Sequence, residues 1–334
     1  MAQELLVTSS QSGQKLFNFL RRSLHAENNE IHRWIRTGQV RINKKRAKAF
    51  DIVQEGDLIR IPPFAQNQAQ TQNTNNAEAP KQNFSAPKNN ALPFSIVFEN
   101  EYMLVINKPA GIACQGGTGQ QENIADILKD CYSHTDFIPA PAHRLDKDTQ
   151  GLLLIGKTYQ SLRFLTDYMK GDEENLLQAI QSPPKKIYHT WVYGDIAAFA
   201  KENPYLCHSL YHSEPQKKEK VLQKFSYNIP QEIENHIKEH GLIQNTPTGE
   251  KALFACSVLK VLEVKNNKSL VEIGIYTGRK HQIRVQLAHA GFPLVGDTKY
   301  APKKLLAPND KFFLQCHSIT LPENPYTEQT VFTL

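Results

Sequence analysis

The sequence predicts a protein with both helices and strands, arranged in two folded parts. Near the N-terminus, apolar residues at helical spacing give way to residues that alternate along a strand. A longer body, from residue 95 onwards, contains several strand-like runs and a few helical ones. Within it, residues 200–250 show little pattern apart from one helix, Pro230–His240. With 334 residues, the chain is long enough for more than one domain.

The N-terminal part, residues 14–63, is predicted to fold as two short helices followed by a β-ribbon. Apolar residues lie at helical spacing between positions 16 and 24, and again around Trp34. Strand-like alternation starts at Val40 and returns at residues 58–61. Positive charge is concentrated here, since residues 14–61 hold eleven Lys or Arg against five acidic residues, while the whole chain carries a net charge of +6. A basic module beside a neutral body is typical of a protein that binds a polyanion.

Two helices and a ribbon, with the cations on one side, resemble the alpha-L RNA-binding domain, first described in the ribosomal small-subunit protein S-four. The resemblance implies that the helix pair and the loop after it bind RNA phosphates. Such contacts would be sensitive to salt and would carry little sequence information. A solvated basic surface without a ligand is the alternative. The implied RNA-binding residues are Arg21, Arg22, Arg33, Arg36, Lys44, Lys45 and Arg46.

Residues 64–92 are predicted to be a flexible linker. Gln and Asn dominate this stretch, and its apolar residues are too sparse to bury a core. The basic module is therefore expected to move relative to the body at 93–334.

Composition excludes several classes of protein. The apolar runs are far shorter than the roughly 18 residues of a membrane-spanning helix, and the N-terminus lacks the pattern of a secretion signal. The five cysteines are scattered without a C-x-x-C pair. This distribution argues against a disulfide framework and a structural zinc site, and it fits a reducing cytoplasm. Metal-ligand spacing such as H-E-x-x-H is absent from the sequence.

One polar loop in the body, residues 143–149, is the main candidate for a functional site. The run that follows, 150–157, has an apolar centre bounded by glycines and is predicted to be a buried strand. A rigid strand would hold Asp146 on the loop, where functional residues tend to lie. From spacing alone, a polar turn with an Asp–Arg ion pair is the simpler interpretation.

Several motifs in the body occur in an order that resembles the RluA family of pseudouridine synthases. A set of spaced motifs is far more specific than any one of them. The resemblance covers residues 95–301, and with the basic module in front it is similar to bacterial members that modify large-subunit ribosomal RNA. The motifs are Asn107-Lys108-Pro109-Ala110-Gly111, His143-Arg144-Leu145-Asp146 with Thr149, Gly151-Leu152-Leu153, Lys186-Ile187-Tyr188, and Thr277-Gly278-Arg279 with His281-Gln282-Ile283-Arg284.

The resemblance implies an α+β fold. Its mixed, largely antiparallel sheet would be split into two halves by a central cleft, next to the small N-terminal alpha-L domain. It also implies an isomerase that turns uridine in RNA into pseudouridine: the N-glycosidic bond breaks, the base rotates, and a C–C bond forms. The expected enzyme is a cytoplasmic monomer without cofactor, metal or membrane partner. Its expected substrate is 23S ribosomal RNA or a large-subunit precursor.

The resemblance further assigns roles to five residues. Asp146 would add to an electrophilic carbon of the sugar or base, or remove a sugar proton. Arg279 is the implied partner that keeps this carboxylate charged and oriented. Tyr188 would stack on the target base. Arg144 and His143 would bind phosphate or help to hold the base out of its stack.

Structural interpretations of these residues remain open alongside the catalytic ones. Tyr188 fits ordinary strand packing, and His143 and His281 fit structural hydrogen bonding. Lys108 fits backbone support or an RNA contact. Arg284 fits a structural or RNA-facing charge.

Two other functions are also considered. One is a non-catalytic RNA-binding factor that keeps the fold. The other is a hydrolase in which Asp146 and Asp148 act as paired carboxylates. The sequence departs from the family pattern at Phe17, Gln150 and Gln286, where Asp, Ser and His are usual. These departures concern the target nucleotide and not the implied chemical groups.

Overall fold

The computed structural model describes residues 3–24, 26–65, 92–116, 123–170, 176–213, 218–227 and 230–334. They belong to two compact units. The first comprises 1–104, 115–142 and 154–165, and the second comprises 105–114, 143–153 and 166–334. The predicted linker lies almost entirely outside the described residues, so the proposed domain boundaries stay predictions.

The helices of the described residues largely match those predicted from apolar spacing. They are α1 Leu16–Ser23, α2 Asn28–Arg36, α3 Ile124–Cys131, α4 Tyr159–Lys170, α5 Leu176–Ala179, α6 Ala197–Glu202, α7 Pro230–His240 and α8 Gln282–His289.

The strands extend beyond those predicted. They are β1 Gln3–Leu6, β2 Arg41–Ile42, β3 Lys45–Arg46, β4 Leu58–Ile61, β5 Ile96–Glu99, β6 Met103–Lys108, β7 Ala140–Pro141, β8 Gln150–Gly156, β9 Lys186–Tyr193, β10 Tyr205–Ser213, β11 Lys218–Tyr227, β12 Ile243–Asn245, β13 Lys251–Lys265, β14 Lys268–Ile275, β15 Leu314–Thr320 and β16 Val331–Thr333.

The basic module, in the first unit, has the predicted order of helix, helix and ribbon. Its four strands form a sheet in the order β1-β4-β2-β3. Trp34, Phe19 and Ile31 are buried in its core, so the apolar stripes of α1 and α2 face inward as predicted. The ribbon turns at Asn43 and Lys44, which both have positive φ. Of the basic residues at 44–46, Lys44 therefore lies in the turn, whereas Lys45 and Arg46 lie on β3.

The second unit contains a mixed sheet in which antiparallel pairs dominate. From one edge, its order is β11-β10-β13-β14-β9-β15-β8. The pairs from β11 to β15 are antiparallel, whereas β15 and β8 run parallel. Helices α7 and α8 belong to the same unit as this sheet. The predicted α+β class is confirmed.

Strand β8 is the element that leads out of the Asp146 loop. From Gly151 onwards all of its residues are buried, which explains its continuous apolar run. Gly151 has φ +108°, and a Cβ atom there would collide with the backbone of Cys316 on β15. Glycine is therefore required at this position for both conformation and space.

Replacing Gly151 with Ala is expected to lower the free energy of unfolding by roughly 2–5 kcal/mol, from backbone strain and overpacking together. Gly111→Ala is a matched control, because Gly111 also has positive φ but nothing within 4 Å of its would-be Cβ. This control should cost only about 1–2 kcal/mol. Urea denaturation measures both variants, and equal losses would contradict a steric role for Gly151.

Candidate active site

The candidate active site is built around Asp146, in the loop before β8. The Thr149 amide donates to the Asp146 carbonyl at 3.1 Å and closes the turn. The Asp146 side chain is 40% exposed, whereas Leu145 and Thr149 on either side are buried. The loop is thus fixed by its neighbours while the carboxylate stays accessible.

Lys108, at the end of β6, forms hydrogen bonds that hold this loop in place. Its side chain is fully buried, and Nζ donates to the carbonyls of Pro109, Ile112 and Lys147 at 2.8, 2.8 and 3.1 Å. The Gly111 amide donates to the same Lys147 carbonyl at 2.8 Å. Among the two interpretations of Lys108, these contacts favour backbone support.

Cys114 fixes the residue next to Asp146. Its thiol donates to the Leu145 carbonyl at 3.4 Å, and the Leu145 amide donates back to the sulfur at 3.3 Å. Burial raises the pKa of the Cys114 thiol, so the group stays protonated and acts as a hydrogen-bonding partner. All five cysteines are buried, and each is a free thiol in this structure.

His281 is the residue that approaches the Asp146 carboxylate. Its Nε2 lies 3.8 Å from Asp146 Oδ2. On the other side of the ring, Nδ1 lies 2.7 Å from the Tyr300 hydroxyl. The residue caps α8 with a left-handed backbone, φ 55° and ψ 20°, which is uncommon for a residue other than glycine. Burial lowers the pKa of His281, while Asp146 opposes this shift.

Tyr300 is itself held in place by a buried ion pair. Arg284 on α8 donates to both carboxylate oxygens of Asp297, with Nε–Oδ2 2.8 Å and Nη2–Oδ1 2.6 Å. Asp297 also accepts the Tyr300 amide at 3.1 Å, and the Arg284 guanidinium lies over the Tyr300 ring. These contacts favour a structural role for Arg284, and the Asp146 carboxylate is also among the charges that raise the pKa of its guanidinium.

Tyr188 lies on β9, opposite Cys316 of β15. It is 6% exposed. Burial raises the pKa of Tyr188 well above its usual range, so the hydroxyl stays protonated. The ring is largely covered in this structure, and stacking on a base remains a prediction.

Arg279 lies at the junction between β14 and α8. Its Nε donates to the Phe254 carbonyl at 3.0 Å, and its amide donates to the Gln282 side chain at 3.0 Å. The predicted Arg279–Asp146 pair is not among these contacts and stays a prediction.

His143 and Arg144 differ in their surroundings. Arg144 is exposed, which suits contact with RNA. Burial lowers the pKa of His143 to about 3, and Lys186 adds to the shift. A neutral His143 still has one N–H donor for a phosphate or a base, so its predicted role stays a prediction.

In the first unit, a groove of about 760 Å³ runs along α2 of the basic module. Arg46 reaches across it and donates to the Arg36 carbonyl at 3.0 Å. Arg33 is exposed at 57% and lies 3.6 Å from Glu30. The lining residues are Asn29, His32, Arg33, Ile35, Arg36, Arg46, Ala47, Lys48 and Ala49.

The other predicted RNA-binding cations lie outside this groove. Arg21, Lys44 and Lys45 are exposed. Arg22 is half-buried, with its guanidinium 4.7 Å from the centre of the Phe137 ring, and burial lowers its pKa to about 10. Arg22 is therefore less available to RNA than its sequence position suggests.

Sequence reasoning gave no site role to His281, Tyr300 or Asp297. A signal for His281 was present, because it lies two residues after Arg279 in the same motif. Tyr300 and Asp297 had no such signal, because their contacts depend on the fold.

None of the described helices is long and apolar enough to cross a membrane.

Known proteins with similar sequences belong to the family that the order of the motifs indicates. Residues 102–289 match the RNA pseudouridylate synthase family, and residues 14–59 match the S4 domain. "Ribosomal large subunit pseudouridine synthase C" of Haemophilus influenzae is 30% identical over 300 residues, which cover 90% of this chain and 79% of that protein. The protein of the same name from Vibrio parahaemolyticus is 28% identical over 319 residues, covering 94% and 86%.

Among solved structures, "Human RNA Pseudouridylate Synthase Domain Containing 1" has a TM-score of 0.49 at 17% identity, over 72% of this chain and 82% of that one. The assignment of the chain to a family rests on the sequence matches. The pattern at residues 102–289 covers more than half of the chain, and it includes the Asp146 loop, Tyr188 and Arg279. The chain belongs to the RNA pseudouridylate synthase family, isomerases that convert uridine in RNA to pseudouridine.

Proposed function

We propose that this enzyme modifies uridines of large-subunit ribosomal RNA, with Asp146 as the group that attacks the reacting nucleotide. The observation that supports this most strongly is the fixed loop with an accessible carboxylate. Its neighbours are buried, its turn is tied to Lys108, and the carboxylate itself is 40% exposed. A positioned carboxylate in a preorganised loop is what nucleophilic catalysis requires.

The other site residues have supporting roles in this proposal. Arg144 is exposed beside Asp146 and contacts RNA phosphate. Tyr188 forms one wall of the base pocket, and His143 helps to keep the flipped base in position. Arg279 keeps the Asp146 carboxylate charged once substrate excludes water from the pocket.

The basic module anchors the RNA. The groove along α2 brings Arg33, Arg36 and Arg46 together, and Lys44, Lys45 and Arg21 extend the positive surface. The proposal divides the chain into three parts, which are an RNA-binding domain at 14–63, a linker at 64–92 and a catalytic body at 93–334. The enzyme acts as a cytoplasmic monomer.

The choice of large-subunit RNA rests on the names of the relatives, which are large-subunit enzymes covered over most of their length. Release of tritium from [5-³H]uridine-labelled transcripts tests it, because the C5 hydrogen leaves when the new C–C bond forms. Release from 23S but not 16S transcripts is expected. Release from 16S alone would refute the substrate assignment, and release of free uracil would indicate a hydrolase instead.

A further inference from the structure

We propose that His281 is a positioning residue that donates a hydrogen bond from Nε2 to Oδ2 of Asp146, with Tyr300 setting the ring proton on Nε2. The inference rests on the proposed role of Asp146. It concerns what orients that carboxylate before it reacts.

The first step of the argument is the proton at the Tyr300 hydroxyl. The Glu219 amide donates to this oxygen at 3.2 Å, and His281 Nδ1 lies 2.7 Å away on another side. The hydroxyl is an acceptor for Glu219, so its own proton is available to Nδ1. Burial raises the pKa of Tyr300 to about 12, which keeps that proton in place. The ring proton of neutral His281 is then on Nε2, facing Asp146.

The second step is the rigidity of this arrangement. Tyr300 is fixed by the Asp297 carboxylate and by the Arg284 guanidinium over its ring. His281 is fixed by its left-handed backbone at the start of α8. Non-glycine residues persist in this conformation where the surrounding structure determines it, and they concentrate at functional sites. The imidazole is therefore aimed at one carboxylate oxygen and leaves the other for the substrate.

The third step is the 3.8 Å distance between Nε2 and Oδ2. It is too long for a hydrogen bond in the free enzyme. Catalytic hydrogen bonds are often long without substrate and shorten in the complex. A nucleotide that displaces water from the exposed side of Asp146 favours this shortening, since the carboxylate must replace its water partners.

Several charged groups face His281 and affect its titration. Burial and these charges together lower the pKa of His281. The ring is therefore neutral at pH 7 and becomes charged only in acid. Protonation adds a proton to Nδ1, which then no longer accepts from Tyr300. These groups are Asp146 in the loop before β8, Arg284 and Lys280 at α8, Lys299 and Tyr300 in the turn after Asp297, and Glu219 on β11, which pairs with Lys280.

Three variants test the proposal in steady-state tritium release, measured as kcat and KM across pH 5–8. His281→Ala should lower kcat roughly tenfold to hundredfold with little change in KM, the range for one charge-assisted hydrogen bond. His281→Gln, whose Nε2 can still donate to Asp146, should recover most of this loss. Tyr300→Phe removes the bond that keeps the ring proton on Nε2, so it should lower kcat at neutral pH and have a smaller effect in acid, where protonated His281 carries a proton on both nitrogens. His289→Ala, at the other end of α8, is the control and should match wild type.

The outcomes are distinct. Wild-type kcat in His281→Ala, with loss of activity in Asp146→Ala, would refute this inference and leave the proposed function standing. A His281→Gln enzyme as slow as His281→Ala would also refute it, because the ring would then be needed for proton transfer. Activity in Asp146→Ala would instead refute the proposed function. Thermal melts of each variant separate these effects from unfolding.

Discussion

Replacing Asp146 with Ala is expected to abolish pseudouridine formation, lowering the single-turnover rate roughly a thousandfold or more. The reason is chemical, since the covalent or proton-abstracting step needs a carboxylate at this place in the loop. The loop should keep its shape, because its anchors are the Lys108, Cys114 and Thr149 contacts, none of which involves the Asp146 side chain. RNA affinity and the thermal melt should therefore change little.

Asp148→Ala is the matched control for this prediction. Asp148 is an exposed carboxylate two residues along the same loop, so its removal changes charge as much as removal of Asp146 does. It should retain near wild-type tritium release. Comparable losses in both variants would support paired carboxylates, as in a hydrolase, and would contradict a unique role for Asp146.

Removing the three groove arginines is the second large expected effect. The triple change Arg33→Ala, Arg36→Ala and Arg46→Ala should weaken RNA binding at low salt and flatten its salt dependence. Each RNA phosphate left without its cation should reduce the slope of log affinity against log salt by about 0.7–0.9. Filter binding over a salt series measures this slope. The rate at saturating RNA should be unchanged, because the basic module is proposed to bind RNA and not to take part in the chemical step.

Arg60→Ala serves as the control for the groove. Arg60 is also an exposed cation of the basic module, on β4, but it is not among the groove residues. It should alter the salt slope less than any single groove substitution. If Arg60→Ala and Arg36→Ala weaken binding equally, the module acts through net charge and the groove is not a specific anchor.

Local patterns predicted much of the fold. Helices α1 and α2 and strand β8 have clear apolar patterns, and the sequence predicts each of them close to its observed bounds. Strands β10 and β11 were missed for a physical reason. In β10, buried His208 and Ser209 interrupt the apolar pattern, so alternation is lost although the strand is internal.

Contacts between distant residues could not be predicted in the same way. The parallel pairing of β15 with β8 joins residues about 165 positions apart, such as Gln315 and Gln150, and nothing local encodes it. The site shows the same limit. Asp146 was found from its motif, but the His281–Tyr300 contact depends on the turn after Asp297, which the Arg284 ion pair holds.

The central claim is that Asp146 modifies uridine in large-subunit RNA, and a map of pseudouridine in ribosomal RNA tests it most directly. Carbodiimide adducts and primer-extension stops would be compared in a gene-deletion strain and in the same strain rescued with wild type or Asp146→Ala. We predict that specific large-subunit sites disappear on deletion, return with wild type, and stay absent with Asp146→Ala. Full restoration of those sites by Asp146→Ala would contradict the account.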